Sequence, residues 1–423
     1  MPRRLAALRP LGLLIASLAV ASVVVISRRP DTFTHAQFYA EDGRCSFADA
    51  YTLGPWQALF LPDQGHILMQ PRLIALIAFP FGVASAPLIY NIFGLLFQVA
   101  PVAFFLSDRF RPVLPSIWWR MALCVVYLLI PSAELQVTAG NSQWHLAVLA
   151  SLVLIAPTPK RLGWRVFDIG TLLLCALTGG FAYVLLPAAL IWWWVRRQRW
   201  TGIEVAALGI GLVAQLYGMI VAARLHTSLV ASFPDAVRDL AFIGSDHIIL
   251  AGLFGEEAPP HVFVHGLPHG AVLAAGICVV GLAVVVFAAL RAPWELRIFA
   301  LIGFGIAGAG LASPLVPTGN NAWDVIAMAG DDRYFFMAEL AWVVIILWAL
   351  SRLPHPWLRA GGWALTAVAF ASGLVLAWQY PPSQNYDWPQ EAAQIVSAGS
   401  GGNVSVPIPP SPWQIIIPAP PGC

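Results

Sequence analysis

The sequence predicts an all-α polytopic membrane protein, built as a bundle of about eleven transmembrane helices. Hydrophobic residues make up 59% of the 423 residues and charged residues only 10%, and the mean hydropathy is +0.75. Apolar runs of about twenty residues, the length that crosses a bilayer as a helix, recur along the chain. A soluble fold of this size could not bury so much apolar surface. The lipid bilayer is therefore an expected partner, and signals of nucleic-acid binding are absent.

The first apolar run extends from Leu11 to Ile26 and follows three arginines. This arrangement resembles a secretory signal peptide, but no small-residue cleavage site follows cleanly. Arg28 and Arg29 stand directly after the run. We therefore expect an uncleaved signal anchor whose N-terminus lies in the cytoplasm.

Basic clusters set the expected topology of the other helices. When these clusters are placed on the cytoplasmic side, a pair of apolar helices separates each cluster from the next from Arg120 onward. The C-terminus then lies outside. A model with about twelve spans would place several basic clusters outside. The predicted spans after the first are 86–106, 115–132, 143–157, 166–179, 181–195, 201–224, 269–290, 298–313, 334–351 and 360–378.

One apolar run does not fit this pattern, because the basic clusters allow only one of the two runs before Arg109 to cross. The run 67–83 contains Pro71, Arg72 and Pro80. These residues favour an interfacial or re-entrant helix on the outer face. The first outer loop, about 28–85, is therefore expected to carry interfacial helices.

The same pattern of apolar runs and basic clusters predicts the domain organisation. Residues 1–378 are expected to form the transmembrane domain, with a second long outer loop at about 225–268. Residues 379–423 are rich in Pro, Gly and Ser and predict a small extracytoplasmic tail. Cys45 and Cys423 would share the oxidising side of the membrane, so they either form a disulfide or remain two free thiols.

The most informative stretch in the first outer loop is 38–43, which contains Glu41 and Asp42. Adjacent carboxylates near a low-dielectric surface repel one another, so one of them is expected to accept a proton near neutral pH. The pair could equally bind a divalent cation such as Mg²⁺ or Mn²⁺. A structural alternative is an ordinary acidic turn that caps a helix beginning near Ser46.

Two further groups of polar residues are expected on the same outer side. His66 and Arg72 flank a proline, and a guanidinium at the membrane surface suits a phosphate or pyrophosphate. The alternative is an arginine that snorkels to the lipid headgroups. A second group of amide, indole and imidazole side chains opens a helix, where it could bind sugar hydroxyls or simply cap the helix and anchor it at the interface. This group consists of Asn141, Gln143, Trp144 and His145.

A last polar group, Asp332, Arg333 and Tyr334, precedes a late span and repeats the combination of acid and arginine. An internal ion pair or a helix cap is the alternative explanation. The apolar runs themselves are nearly free of charge, whereas a transporter places ionisable residues at the middle of the bilayer. Catalysis or binding at the outer surface is therefore favoured over transport.

Several short motifs resemble those of a group of bacterial polytopic membrane proteins in the GT-C superfamily of integral membrane glycosyltransferases. The resemblance spans nearly the whole chain and lies in the order of the motifs and in the topology. The motifs are Tyr39-Ala40-Glu41-Asp42-Gly43, His66 with Pro71-Arg72-Leu73, Asn141-Ser142-Gln143-Trp144-His145-Leu146, Arg333-Tyr334-Phe335-Phe336, and Val406-Pro407-Ile408 with Pro412-Trp413.

This resemblance implies a GT-C-like enzyme of the bacterial inner membrane. Such an enzyme transfers a sugar from a polyprenyl-phosphate-linked donor to a cell-envelope glycan, lipid or protein on the extracytoplasmic face. Carried onto this chain, Glu41 or Asp42 would act as general base, and Arg72 and Arg333 would hold the donor phosphate. The residues expected to bind the donor or the sugar are His66, Arg72, Asn141, Gln143, Trp144, His145, Asp332, Arg333 and Tyr334.

Two questions stay open at this point. The acidic pair is contiguous and is not a spaced Asp-x-Asp motif, so a need for Mg²⁺ or Mn²⁺ does not follow from it. The alternative to an enzyme is a non-enzymatic polytopic protein, either a transporter of lipid-linked glycans or an inactive binding protein of the same shape.

Overall fold

The structure is a computed structural model that describes residues 2–63, 65–130, 132–222, 230, 232–255, 267–314, 321–329 and 332–419. Side chains are described in these ranges except for those of residues 2–11, 13, 329 and 332. The described chain is mostly helical and contains two small antiparallel sheets. This agrees with the predicted all-α membrane protein.

A helix lies at each of the predicted spanning segments. These helices are Pro2–Arg28, Ala86–Leu106, Ile117–Leu129, Ser142–Ile155, Leu162–Ala176, Ala182–Arg196, Arg199–Val221, Gly270–Arg291, Trp294–Ala312, Phe336–Ser351 and Pro356–Leu376. Six helical stretches in the described residues are long and apolar enough to cross a membrane, namely Val83–Leu106, Gly179–Arg196, Arg199–Val221, Gly270–Arg291, Trp294–Ala312 and Pro356–Leu376. The count of about eleven spans stays a prediction.

The remaining elements are short. The helical segments are Asp31–Thr34, Asp42–Phe47, Ala48–Leu53, Pro55–Ala58, Met69–Ala78, Phe79–Phe81, Val83–Ser85, Gly179–Phe181, Phe233–Phe242, Ile243–Leu250, Ala251–Phe254, Ala322–Ala329, Asp332–Tyr334 and Trp388–Ala398. One hairpin pairs strand Pro62–Asp63 with His66–Ile67, and the other pairs Val404–Pro407 with Gln414–Ile417. The described part of the predicted outer loop 225–268 is thus largely helical.

The chain divides into two compact units. The first unit consists of Met1–Pro115, Glu134–Leu225 and Gln379–Cys423, and the second consists of Ser116–Ala133 and His226–Trp378. The acidic stretch of the first outer loop therefore belongs to the first unit, whereas Arg333 belongs to the second.

The helix Met69–Ala78 occupies the run that was predicted to lie at the interface. It has 10 residues, which corresponds to a length of about 15 Å, half of the roughly 30 Å hydrocarbon core of a bilayer. A tight helical turn at Phe79–Phe81 ends it. This length fits the predicted interfacial position.

The tail folds onto the first polar segment within the first unit. Phe38 and Phe47 share one buried core with Trp388 and Ile415. The rings of Phe38 and Trp388 meet edge to face, with their centroids 5.0 Å apart, a favourable aromatic geometry. Since aromatic burial dominates core energetics, the tail stabilises the segment that carries the acidic pair.

The arginines that follow the first helix also hold the tail. The Nη2 atom of Arg28 donates to the hydroxyl of Tyr380 at 2.5 Å. Its guanidinium carbon also lies 4.6 Å from the centroid of the Tyr380 ring, close enough for a cation–π interaction. Arg29 forms an ion pair with Asp31. Arg28 and Arg29 are therefore built into the first unit.

The described cysteines are of two kinds, one disulfide-bonded and three free. Cys45 is disulfide-bonded, so the free-thiol alternative is wrong for this residue. Its predicted partner, Cys423, lies outside the described residues. Cys124, Cys175 and Cys278 are free, and each lies in an apolar helix where a thiol packs as a small hydrophobic group.

Arginine–tryptophan stacking marks one of the basic clusters used for the topology. The guanidinium carbon of Arg196 lies 4.3 Å from the centroid of the Trp192 ring, and that of Arg197 lies 5.5 Å from the Trp194 ring. Tryptophan and arginine side chains together are typical of the boundary between membrane and water.

Candidate functional site

The acidic stretch begins with an unusual backbone conformation. Ala40 has a φ of +44°, which is uncommon for a residue that carries a Cβ atom. The backbone carbonyl of Pro409 in the tail accepts the N–H of Ala40 at 2.7 Å. Asp42 then starts a wide helical turn of the π type, Asp42–Phe47. Turns of this type are frequent at functional sites, because they redirect side chains within a helix.

The carboxylate of Asp42 is buried and fixed by two backbone donors. Its Oδ1 atom accepts the N–H of Gly140 at 2.6 Å, and its Oδ2 atom accepts the N–H of Ala139 at 3.0 Å. The side chain is only 3% exposed. No side chain caps the turn Asp42–Phe47. Asp42 lies in the first turn of this helical segment, and its side chain joins two distant segments of the chain.

The segment 134–141, which supplies these donors, is itself strained. Val137 has a φ of +59°, an outlier for a β-branched residue. A Cβ atom on Gly140 would lie 2.9 Å from Oδ1 of Asp42, so a side chain at this position would have to displace that carboxylate. Strain of this kind costs about 1–3 kcal/mol per residue and tends to occur at functional sites.

Gln70 holds the same segment from helix Met69–Ala78. Its Nε2 atom donates to the carbonyl of Ala139 at 2.9 Å and to the hydroxyl of Ser142 at 2.6 Å. Its backbone N–H donates to the hydroxyl of Thr178 at 3.1 Å. The donors for Asp42 are thus positioned by a buried hydrogen-bond network.

Arg72 lies on the same helix, Met69–Ala78, and pairs with an acid that was not predicted from the sequence. Its Nη2 atom contacts Oδ2 of Asp49 at 2.9 Å, and both side chains are buried. The other two guanidinium nitrogens of Arg72 are also buried, and neither has a hydrogen-bond partner among the described residues. Because buried donors normally have an acceptor, these two nitrogen atoms mark the region as a candidate functional site.

A second missed acid is Asp63, in the first hairpin. It is 3% exposed, and its Oδ1 atom has no hydrogen-bond partner in the described part of the chain. Asp63 stands directly opposite His66 in the antiparallel ladder. Opposite residues project their side chains to the same face of a hairpin. The predicted residue His66 therefore lies next to a buried carboxyl group.

Gln215 locks this hairpin in place. Its Oε1 atom accepts the N–H of Ile67, and its Nε2 atom donates to the carbonyl of Ile67, both at 3.0 Å. A two-stranded hairpin alone is only marginally stable. The side chain of Gln215 therefore holds the strand His66–Ile67, which pairs with the strand that carries Asp63.

The carboxyl groups in this region influence one another strongly. Burial raises the pKa of Asp42 to about 7; the charge of Glu41 adds to this rise, while the N–H groups of Gly140 and Ala139 oppose it. Burial likewise raises the pKa of Asp63 to about 7. Arg72 opposes that rise, and Glu41 and Asp49 add to it. Burial also raises the pKa of Asp49, although the charge and hydrogen bond of Arg72 lower it.

These residues form one site, which we name the acid cluster. It has four carboxyl groups and a single guanidinium, in the polar segment before helix Ala86–Leu106. Its members are Glu41, Asp42, Asp49, Asp63 and Arg72. Three of them, Glu41, Asp42 and Arg72, were predicted from the sequence. Asp49 and Asp63 each have one local signal in the sequence. Asp49 follows Asp42 by two helical turns. Gly65 lies in the hairpin turn that places Asp63 opposite His66.

Two of the predicted sugar-binding residues support the segment 134–141. The Nδ2 atom of Asn141 donates to the carbonyl of Glu134 at 3.0 Å. The Nε2 atom of His145 lies 3.3 Å from the carbonyl of Leu135. Both side chains are buried. Through these contacts Asn141 and His145 support the segment whose N–H groups bind Asp42. Their contact with a sugar stays a prediction.

The other two residues of this group differ in exposure. The ring of Trp144 is buried and meets the ring of Phe181 edge to face, with centroids 5.1 Å apart. Gln143 is half-buried, and its Oε1 atom lies 2.9 Å from the point that a Cβ atom on Gly179 would occupy. Gln143 is therefore the more accessible of the two to a sugar.

The predicted residues of the second unit are described only in part. The guanidinium carbon of Arg333 lies 5.3 Å from the ring centroid of Tyr334, which is buried. The side chain of Asp332 and the whole of Asp331 lie outside the described residues. The predicted contact of Arg333 with a donor phosphate stays a prediction.

The described residues contain no group of three or more His, Cys, Asp or Glu side chains that could hold a metal ion.

No family model matches the chain, and no curated protein or solved structure gives a match. The resemblance to the GT-C superfamily therefore depends on short motifs and their order alone.

Proposed function

We propose that this protein is a GT-C-type glycosyltransferase. It transfers a sugar from a polyprenyl-phosphate-linked donor to a cell-envelope acceptor on the extracytoplasmic face of a bacterial inner membrane. The acid cluster carries the proposal, because two of its carboxyl groups have a pKa of about 7. A general base works best when its pKa lies near the operating pH. Buried titratable groups with strongly shifted pKa values are typical of functional sites.

The energetic cost of the acid cluster supports a functional role. Removing a carboxylate from water is expensive unless an opposite charge or several hydrogen bonds compensate for it. Here the guanidinium of Arg72 pairs with Asp49, and its charge also acts on Asp63. Packing alone would favour apolar side chains at Asp49 and Asp63. Their burial is explained if the reaction needs them.

In the proposed reaction, a carboxylate of the acid cluster removes the proton from an acceptor hydroxyl. The hydroxyl oxygen attacks the anomeric carbon of the donor sugar, and the bond from that carbon to the phosphate oxygen breaks. Polyprenyl phosphate leaves with the electron pair. The excess of acids over arginine favours a sugar phosphodiester with a single negative charge over a more highly charged pyrophosphate.

The test is a transfer assay with the full chain in lipid nanodiscs. Synthetic polyprenyl-phosphate hexoses with a radiolabelled sugar serve as donors, and envelope extracts serve as acceptors. We expect wild-type transfer and a loss of at least about 100-fold in one or more of Glu41→Gln, Asp42→Asn, Asp49→Asn and Asp63→Asn. Asp108→Asn, which changes an exposed acid far along the sequence, is the matched control and should retain the full rate.

Full activity in all four variants would contradict a base in the acid cluster. The competing non-enzymatic function predicts a different result. A transporter of lipid-linked glycans would move a fluorescent polyprenyl-phosphate hexose across proteoliposome membranes, and that flux would survive in the same four variants.

A further inference from the structure

The proposed transfer reaction needs one proton acceptor, but the acid cluster has four carboxyl groups. The present inference rests on the proposed function and identifies the acceptor among them. Asp42 is a poor candidate on geometry. Both of its oxygens already accept backbone hydrogen bonds, at 2.6 Å from Gly140 and 3.0 Å from Ala139. Those donors stabilise the charged carboxylate and compete with an incoming proton.

Asp49 and Glu41 are also poor candidates. Asp49 is held by Arg72 through its Oδ2 atom at 2.9 Å, and an ion pair of this kind disfavours protonation. Glu41 is half-buried at the start of the turn, so water has access to its side chain. Neither group offers a desolvated oxygen without a competing partner.

Asp63 differs from the other three in both respects. It is buried, and its Oδ1 atom has no hydrogen-bond partner among the described residues. Its strand pairs with His66–Ile67, and Gln215 holds that partner strand through two hydrogen bonds to Ile67. A base that is held rigidly, with one free oxygen and little water, meets the geometric requirement for general-base catalysis.

We infer that Asp63 is the catalytic base. Asp42 is a positioning residue that fixes the turn Asp42–Phe47, in which it lies. In this step Oδ1 of Asp63 takes the proton of the acceptor hydroxyl, whose oxygen forms the new bond to the anomeric carbon. The bond from that carbon to the phosphate oxygen breaks, and polyprenyl phosphate leaves with its electrons. Asp63 then releases the proton to water.

The charges around Asp63 give the reaction a defined pH dependence. The pKa of Asp63 is raised to about 7, chiefly by burial; the charges of Glu41 and Asp49 contribute to this rise and the charge of Arg72 opposes it. His66 on the paired strand is the other titratable group on its face. Because only the carboxylate accepts a proton, the transfer rate should fall as the pH drops below about 7.

The decisive experiment measures kcat and KM against pH in nanodiscs, with the polyprenyl-phosphate hexose that the wild type accepts best. Asp63→Asn should lower kcat by about 1,000-fold with little change in KM. Asp63→Glu, which keeps the carboxyl group, should retain a measurable part of the rate. Asp42→Asn should lower the yield of folded protein but keep the fall in rate at acid pH, because Asp63 is intact.

A second measurement covers the case in which Asp63→Asn folds poorly. Asp63→Ala leaves room for a small carboxylate, so added formate should restore part of its rate and should not stimulate Asp42→Ala. Full activity of Asp63→Asn beside an active wild type would overturn the role of Asp63 and leave the proposed function intact. No transfer by the wild type from any donor would overturn both.

Discussion

The backbone N–H of Gly140 donates a 2.6 Å hydrogen bond to Oδ1 of Asp42, although 98 positions separate the two residues in the sequence. This bond joins the first polar segment to the start of helix Ser142–Ile155. It also leaves no room for a side chain at position 140, since a Cβ atom there would lie 2.9 Å from the carboxylate oxygen.

Gly140→Ala should therefore destabilise the first unit. The added methyl group must displace the buried carboxylate of Asp42 or the turn, and a lost hydrogen bond to a buried charged group costs about 1.5–3 kcal/mol. Chemical unfolding in mixed micelles, followed by tryptophan fluorescence, would measure the change in the free energy of unfolding.

Gly170→Ala is the matched control for this substitution. Gly170 lies in helix Leu162–Ala176, and a Cβ atom there has nothing within 4 Å. Alanine favours helix over glycine by about 1 kcal/mol, so this variant should be neutral or slightly more stable. Equal unfolding curves for Gly140→Ala and Gly170→Ala would contradict the role assigned to Gly140.

The raised pKa values of Asp42 and Asp63 predict that stability depends on pH. Each pKa is about 7 in the folded protein and 3.8 for an ordinary Asp. The folded state therefore binds protons more tightly than the unfolded chain. The resulting stabilisation is complete below about pH 4 and is lost as the pH rises through about 7.

We thus expect the unfolding temperature in nanodiscs to fall between about pH 5 and about pH 8. Asp63→Asn, whose side chain stays neutral, should flatten this slope, and Asp108→Asn should leave it unchanged. A slope in Asp63→Asn as steep as in the wild type would show that Asp63 is ionised throughout this range.

The pair formed by Arg72 and Asp49 should be strongly coupled. Arg72→Met leaves the buried carboxylate of Asp49 without its partner, which typically costs about 3–5 kcal/mol. The double variant Arg72→Met with Asp49→Leu removes both charges and should recover part of this loss. A double-mutant cycle on unfolding free energies measures the coupling.

An exposed ion pair provides the comparison. Arg238 and Asp324 lie 3.0 Å apart, with 44% and 47% of their side chains exposed. Solvent screening limits such pairs to less than about 1 kcal/mol, so Asp324→Asn should change stability little. If Arg72→Met cost no more than Asp324→Asn, the acid cluster would have to be accessible to water.

The packing of the tail can be tested at Gly43. A Cβ atom there would lie 2.8 Å from both Cδ1 of Ile408 and Cβ of Phe38. Gly43→Ala should therefore loosen the tail and speed its cleavage by chymotrypsin several-fold, since proteolysis follows local opening. Gly401→Ala, where a Cβ atom meets nothing within 4 Å, should be cut at the wild-type rate.

The helices could be predicted from the sequence because each of them appears there as a continuous apolar run. The site could be predicted only where residues were adjacent in sequence, as Glu41 and Asp42 are. Asp63 was missed because a single acid in a loop carries no pattern, and its importance comes from burial next to Arg72 and Asp49. The donors at Ala139 and Gly140 are backbone groups, which no side-chain motif records.

The packing of the tail has a consequence for biosynthesis. Phe38 and Phe47 are made early in translation, but their partners Trp388 and Ile415 emerge only after helix Pro356–Leu376 has been made. Until then the aromatic face around the acidic pair has no cover. The core that surrounds the acidic pair therefore closes only after nearly all of the described chain has been synthesised.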